Sequence, residues 1–459
     1  MQRTLLFKII AILVLTLLIC IPMAMIQGTI AERSQFREQA IASIAADSVR
    51  EQTIIGPVVV IPYSDQFDEI ITENGGAKKT VTTTTQRRLL VFPNNLSING
   101  TIDTDRRYRG IHQVLVYSGQ HKFAGDFLLP AKADLPRTNA TSRITLGRAA
   151  ITLGVEDVRG IRNIPKINWG GKTMEFQQGS ALRSFASGVH ALLDASAMDK
   201  EEAVNFAFDL GLNGIERQHF VPVAKNNEIV LKSTWAHPQF GGRFLPLARE
   251  RTITDDGFSA TWRISSLSTD TQQQLMAMEF QSAPRETTLA SVDRFSVGFI
   301  EPVNVYSLAE RATKYGLLFV ALTFAAFFMF EVLKRLPIHP VQYLLVGLAL
   351  VLFFLLLVSL SEHIDFAVAY LIASAACISL LGVYLSYVLR NWRRGVGFAA
   401  ALTGLYGALY GLLISENNAL VLGSILLFAV LAAVMVATRK IDWYNIGKPD
   451  EEPARFVAG

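Results

Sequence analysis

Hydrophobic positions along the chain follow three different rules. From Ile9 to Ala31 there is no charged residue. The apolar part of that run, Leu5–Ile26, is long enough as a helix at about 1.5 Å per residue to cross the roughly 30 Å hydrocarbon layer of a bilayer. Five more runs of this kind fill the C-terminal third: Tyr315–Leu333, Pro340–Leu360, Phe366–Leu389, Val396–Ile414 and Asn418–Thr438. After the first run, Ala40, Ile41, Ile44, Ala45 and Val49 recur at three- and four-residue intervals, which predicts that the helix continues as a stalk. Gly56-Pro57 is expected to end it. Beyond that point the spacing becomes that of strands: Val58–Ile61, Val81–Thr85, Val114–Tyr117, Ile144–Leu146, Ala150–Leu153, Phe206–Leu210, Ile229–Leu231 and Phe258–Ile264. Asn74-Gly75-Gly76, Asn213-Gly214 and Asp256-Gly257 read as turns between them.

Many short strands at regular intervals with few helices predict an antiparallel sandwich. The expected fold class is a multi-pass α-helical membrane protein with a large mainly-β, sandwich-like domain in the periplasm. Its parts are an N-terminal anchor (1–28), a helical stalk (29–55), the β-rich domain (56–310), a membrane domain of five helices (311–440) and a cytoplasmic tail (441–459). The first apolar run is longer than the hydrophobic region of a secretory signal, and Ala24-Met25-Ile26 is a poor cleavage site, so it reads as an uncleaved anchor rather than a removed signal.

Composition agrees. The chain is 51% hydrophobic and 18% charged, with a mean hydropathy of +0.31, against about 25% charged in an average soluble domain. A wholly soluble enzyme and a disordered protein are thereby disfavoured. The net charge of +4 is not evenly spread: the section from Gly28 to Glu310 is nearly balanced, and the basic excess accompanies the apolar segments. A nucleic-acid binder would carry its basic stripe on the folded domain, so no nucleic-acid partner is expected. Cys20 and Cys377 both lie in apolar runs, leaving the middle section without a disulfide and the chain without a zinc spacing.

Loop charges predict orientation. Lys334 and Arg335, then Arg390, Arg393 and Arg394, then Arg439, Lys440 and Lys448 flank alternate connections, whereas Ser361–Asp365 and Ser415–Asn417 contain no Lys or Arg. Short basic loops stay in the cytoplasm. Six crossings therefore place both termini in the cytoplasm and the large section outside the inner membrane. Arg311 and Lys314 run against the trend, but long domains cross largely regardless of charge. Glu331 is expected to pair with Lys334 and Arg335 at the head-group level, Pro337 to end that helix, and Pro340 to begin the next.

The chain contains no Gly-x-Ser-x-Gly, His-Glu-x-x-His or phosphate-binding glycine loop, and no cofactor is expected. Three features carry candidate chemistry. Trp235-Ala236-His237-Pro238-Gln239-Phe240 could line a sugar or peptide groove, or could be a strand ending in a proline-fixed turn with both aromatics in the core. Asp157 and Arg159 read as a structural ion pair on one face of a strand. Glu362 and His363 in one loop, and Glu416 in the equivalent later loop, are either solvated loop residues or a proton-sensitive or cation-binding site, because carboxylates facing lipid are costly. The glycines Gly382, Gly395, Gly397, Gly404, Gly407, Gly411 and Gly423 would allow close helix packing. The last four helices carry no mid-span charge, so a buried proton relay is not indicated.

Several stretches together resemble a known family: Gly56–Tyr63, Ser233–Phe240, Asp256–Trp262, Glu301–Tyr306, Arg311–Tyr315, His339–Tyr343, Ser359–His363, Leu405-Tyr406-Gly407 and Asp442-Trp443-Tyr444. In this order they are similar to the bacterial CreD family of cell-envelope-integrity, or colicin-tolerance, inner-membrane proteins. The resemblance spans nearly the whole chain. It implies a role in envelope homeostasis under a two-component regulator and supplies no catalytic residues. The expected function is maintenance of envelope integrity without catalysis. The partners would be the lipid bilayer and an envelope component (protein, lipid or glycan) bound close to the membrane. A transporter or lipid-handling protein gated by the domain would instead need a polar cavity among the helices. A tethered glycan-active enzyme would need two carboxylates roughly 5–10 Å apart in a cleft.

Overall fold

The computed structural model describes residues 2–439 apart from 73–77, 111, 195–199, 281–291, 300–304, 335–337, 390 and 416–417. The expected turn at Asn74-Gly75-Gly76, the Glu416 loop, Arg335, Pro337 and the tail after Arg439 lie outside the described residues. Two compact units emerge: Gln39–Pro302, and Met1–Glu38 together with Val303–Gly459.

Helix α1 (Gln2–Asp47) runs without a break from the apolar anchor through the stalk. It stops at Asp47 rather than at Gly56-Pro57, because the chain is already a strand by Gln52. Gly56, at φ +114°, lies inside that strand, where the register shifts between Ile55 and Val58. Seventeen strands follow among the described residues: β1 (Gln52–Thr72), β2 (Lys78–Val91), β3 (Asn95–Arg109), β4 (His112–Leu129), β5 (Arg143–Leu146), β6 (Ala150–Val155), β7 (Lys166–Trp169), β8 (Lys172–Glu175), β9 (Gln177–Gln178), β10 (Gly188–Leu192), β11 (Glu202–Ile215), β12 (Arg217–Val221), β13 (Asn226–Ser233), β14 (Pro238–Gly242), β15 (Arg251–Thr254), β16 (Gly257–Ser265) and β17 (Phe295–Phe299). A short helix, α2 (Thr271–Phe280), interrupts them.

The strands form two sheets. One runs β14-β17-β12-β1-β6-β10-β9, with β2 and β5 also on β1; the other runs β15-β16-β13-β3-β4-β11-β7-β8. One continuous buried cluster joins their inner faces. Rings meet across the gap: Trp262 of β16 stacks on Phe295 of β17 with centroids 4.9 Å apart, and Tyr117 of β4 lies 5.1 Å from Phe299 of β17. Strand β1 is the spine. Ile54, Ile55, Val58, Val59, Val60 and Ile61 are all fully buried, the continuous apolar run expected of a strand covered on both faces.

The sandwich departs from an all-antiparallel pattern at two pairings, β1 with β12 and β3 with β13, which are parallel. Side-chain alternation is the same in either direction, so the sequence pattern does not distinguish them. Asp256-Gly257 does join two antiparallel strands, β15 and β16. Asn213-Gly214 does not make a turn. It lies within β11, opposite Ser118 and Tyr117, and a side chain on Gly214 would collide with the Tyr117 ring. Glycine here makes room for an aromatic neighbour.

Where the chain joins the sandwich, Gln52, Asp157 and Arg159 form one hydrogen-bonded junction. The buried Gln52 amide donates to the carbonyl oxygens of Asp157 and Asn213 and accepts from the Asp157 N–H. Asp157 and Arg159 form an ion pair at 2.6 Å, but on a short helical turn, 158–160, rather than a strand. Arg159 also donates to the Ala46 carbonyl in the last turn of α1, satisfying one of the acceptors that every helix end leaves open. The hydrogen bond from the Arg159 side chain, against some cost of burial, holds the Asp157 carboxyl below its usual value.

His121 of β4 sits in the sandwich interior, in a slot left by Gly100 and Gly119, at either of which a side chain would overlap its ring. Its Nε2 is 2.9 Å from the Gln218 amide. Burial lowers its pKa from 6.5 to about 4. The folded state therefore binds fewer protons than the unfolded one between those values, and stability falls as pH falls through the interval. Urea unfolding of the full chain, followed by the fluorescence of buried Trp262, is expected to show the domain losing about 2 kcal/mol between pH 7.5 and pH 5. His121→Leu should flatten that dependence.

The other unit contains α1 up to Glu38, α3 (Val305–Lys334), α4 (Pro340–Ser361), α5 (Phe366–Val388), α6 (Trp392–Ile414) and α7 (Ala419–Thr438). By length and composition α1, α3, α4, α5 and α6 can each cross a membrane, and α7 holds a shorter apolar stretch, Val421–Val436. Pro340 occupies the first turn of α4, behind a His339–Gln342 capping box. The interior is filled by rings: Tyr406 contacts Phe319, Phe353 and Tyr370, and Tyr370 donates to the Tyr406 carbonyl at 2.7 Å.

The helix glycines differ in their surroundings. Gly316 and Gly347 receive Met23 and Ile19 of α1, and Gly395 receives Ser386. Gly397, Gly404, Gly407 and Gly411 meet nothing within 4 Å among the described residues.

Candidate functional site at the stalk end of the helices

The helix α3 begins at Val305, ten residues before its apolar run. Both α1 and α3 thus continue past their apolar parts at the same end of the unit. Ile30 of α1 and Tyr306, Ala309 and Ala312 of α3 are buried there in the same cluster that fills the helical interior. At this end the α4–α5 connection returns Glu362 against the two extensions. The Tyr306 hydroxyl donates to Glu362 Oε1 at 3.2 Å, and Arg33 Nε lies 3.6 Å from the same oxygen. The Glu362 side chain is only 9% exposed. A loop acid that sequence alone would leave in solvent is thus a nearly buried anion joining three helices. His363 is exposed, with Nδ1 3.2 Å from the Ser359 carbonyl, within its own turn. Glu416 lies outside the described residues.

A second ionic node closes the opposite end. Glu331 pairs with Lys8 of α1, accepts from the Tyr343 hydroxyl at 2.8 Å and faces the Ile338 N–H at 3.5 Å. Its side chain is 7% exposed. This partner is a cation 323 residues away in sequence; the expected pairing with Lys334 and Arg335 falls on side chains outside the described residues.

Trp235 and His237 belong to the β-rich unit. The Trp235 indole donates to the His237 carbonyl at 2.9 Å, and its ring stands edge-on to the His237 ring at 6.1 Å. Trp235 is half-buried against the sandwich core, Phe240 packs edge-on against Phe258 and Trp262, and His237 is exposed. This segment closes on itself as a turn. A concave surface of the domain lies elsewhere, a groove of about 570 Å³ at the ends of β3, β4, β13 and β16, lined by Asn95, Ser97, Asn226, Glu228, Arg263 and Ser265 over Leu96 and Ile264. Arg263 holds Glu228 at 3.0 Å and also pairs with Glu250. No local motif marks this groove, since its residues come from four strands widely separated in sequence. Among the described residues no three His, Cys, Asp or Glu side chains gather as a metal site.

Apolar helices tied at both ends by ionic nodes, with a two-sheet β domain inserted between the first and second, define a multi-pass membrane protein with a β-rich domain. The family model for inner membrane protein CreD matches residues 4–444. Inner membrane protein CreD of Escherichia coli (strain K12) is 34% identical over 460 aligned positions, covering 100% of this chain and 98% of that one. The chain belongs to the CreD family of inner-membrane proteins. Among solved structures, an M1 zinc metallopeptidase from Deinococcus radiodurans aligns over 45% of this chain and 42% of its own at 10% identity, with a TM-score of 0.22, a likeness too slight to bear on fold or activity.

The two nodes give a direct test. Arg33→Glu and Glu362→Arg are each expected to lower the thermal stability of the purified protein, and the combined exchange to recover it, with a coupling of about 1 kcal/mol. Glu331→Ala, which strands Lys8 and leaves the Tyr343 hydroxyl without its acceptor, should cost more than either, about 3 kcal/mol. Melting curves in a single detergent compare them.

Proposed function

We propose that this protein maintains cell-envelope integrity from the inner membrane, with its β-rich domain in the periplasm holding an envelope component without catalysis. The charge pattern supports the orientation: basic residues flank the connections at Lys334–Arg335 and Arg390–Arg394 and follow α7, while the loops at Glu362 and Glu416 carry none. Connectivity supports action near the bilayer, since the domain is joined in sequence at one end to α1 and at the other to α3.

The observation that carries the binding reading is the polar groove. The amides of Asn95 and Asn226 are tied to each other and to Asp126, and the Ser97 and Ser265 hydroxyls accept from Asn99 and the Leu267 N–H. The capacity these groups keep for a ligand is therefore their second N–H, their O–H and their remaining lone pairs, over an apolar floor. That suits a neutral, hydroxyl-rich ligand, which makes a glycan of the envelope the favoured component. Glu228 is the one carboxylate in the lining, and it shares its guanidinium partner with Glu250. Glycoside hydrolysis needs a proton-donating acid facing a second carboxylate, so binding is favoured over cleavage. Ring packing in the helical interior favours a structural bundle over a transport path.

Two experiments test the reading. A cysteine placed at Asn139, in a variant lacking Cys20 and Cys377, is expected to react with an impermeant maleimide in intact cells, and one at Arg393 only after lysis. The reverse result removes the orientation. For the groove, full-length protein in detergent is expected to cosediment with purified peptidoglycan, and Ser97→Trp, which fills the groove from an accessible position, to weaken this about tenfold. Equal sedimentation of the two proteins would remove the glycan reading.

A further inference from the structure

Between the extensions of α1 and α3 lies a second groove, of about 480 Å³. On α1 its wall is the face Gln27, Ala31, Ser34 and Glu38, spaced four, three and four residues apart; on α3 it is Ser307, Glu310 and Lys314, spaced three and four. Arg33 and Arg37 lie on the adjoining face of α1, where Arg33 meets Glu362. Tyr306 also lines the groove, so the groove and the ionic node at Glu362 share that side chain.

Its height is fixed by the charge pattern. On α1 the charge-free run ends at Ala31 and Glu32 follows; on α3 Lys314 is the last charge before the run that begins at Tyr315. On α1 the groove straddles the change from apolar to charged positions, and on α3 it reaches that change at Lys314. In a membrane protein that change marks the head-group layer, so lipid of that leaflet is the molecule surrounding the opening. The lining selects among lipids. It carries two carboxylates, Glu38 and Glu310, against one ammonium, Lys314, and Lys314 is paired with Glu310 at 2.9 Å. Among the described residues Glu38 takes part in no ion pair, and it stands at the charged end of the wall, next to the Ser34 hydroxyl.

We propose that this groove holds the head group of a zwitterionic phospholipid bearing a primary amine, with the ammonium on Glu38 and the phosphate toward Lys314. A primary ammonium offers three hydrogen-bond donors to a carboxylate, a charge-assisted contact that a trimethylated amine cannot make. An anionic head group would meet the net negative lining and be disfavoured. The site is independent of the glycan groove and of the envelope role proposed above, since it depends only on α1 and α3.

The test uses the full chain in nanodiscs of phosphatidylethanolamine and phosphatidylcholine, mixed equally with matched acyl chains, then gentle detergent extraction and native mass spectrometry of the lipids retained. Ethanolamine lipid is expected to be retained about fivefold over choline lipid. Glu38→Gln should bring that ratio close to one, while Glu175→Gln, an exposed position in the β-rich unit, should leave it unchanged. Ser307→Trp, which fills the groove, should reduce retention of both lipids, and unaltered melting temperatures would show that the variants fold. Equal retention of the two lipids by the native protein would overturn the proposal. So would a preference that survives Glu38→Gln, or stronger retention of phosphatidylglycerol when it replaces the choline lipid.

Discussion

A charge is not stable in hydrocarbon, and the helical unit is organised by the two places where its charged residues meet. Lys8 and Arg33 on α1 are 25 residues apart, and so are Tyr306 and Glu331 on α3, about 37 Å along each helix. The two helices run in opposite directions, with Lys8 against Glu331 at one end and Arg33 beside Tyr306 and Glu362 at the other. The separation exceeds the roughly 30 Å of hydrocarbon and falls short of the roughly 40–45 Å of the whole bilayer, so both nodes come to rest in the polar layers. A helix sliding by one turn would separate both pairs at once and draw one charge toward lipid. Register between the anchor and the bundle is thus set by electrostatics at the ends. Contacts such as Ile19 on Gly347 and Met23 on Gly316 fill the length between.

The β domain is organised differently, from the middle outward. Strand β1 carries apolar residues on both faces, so it cannot lie at an edge. It pairs with β12 and β6 along its first part and with β2 and β5 farther on. The sheet is built around the first strand the chain makes after leaving α1. The polar junction of Gln52, Asp157 and Arg159 stands where an abrupt change from helix to buried strand would otherwise leave donors and acceptors unpaired, a cost of about 1–3 kcal/mol for each group.

Much of this could be read from the order of residues, because it depends on local periodicity. Apolar length located the long helices of the second unit, the three- and four-residue spacing from Ala40 to Val49 fell at the end of α1, and the expected strand runs fell within strands. What escaped reading depends on neighbours remote in sequence. Glu331 finds Lys8 across 323 residues, although Lys334 is nearer along the chain. Gly214 carries a turn signal, yet it sits in a strand because the Tyr117 ring needs its space. His121 gives no sign of burial, since its slot is made by glycines on two strands. Within the candidate site, the acid and histidine of the Glu362 loop were visible as a charged loop, but Arg33 and Tyr306 were not, because nothing local tells which surface that loop meets.

The polar beginning of α3 shows most clearly how one unnoticed element changes the functional picture. Val305–Lys314 has the composition of a linker between a domain and a membrane segment, with Glu310, Arg311 and Lys314 among its residues. As a helix it places Tyr306, Ala309 and Ala312 on one face, spaced three residues apart, and these bury against Ile30. The opposite consequence falls on its other face, where Ser307, Glu310 and Lys314 must stand beside Ser34 and Glu38 of α1. Two walls with short polar side chains leave space between them, because Ser34 and Ser307 are too short to fill it. The groove is therefore a consequence of burying the first face, and its negative balance follows from two acids, Glu38 and Glu310, against the one ammonium of Lys314.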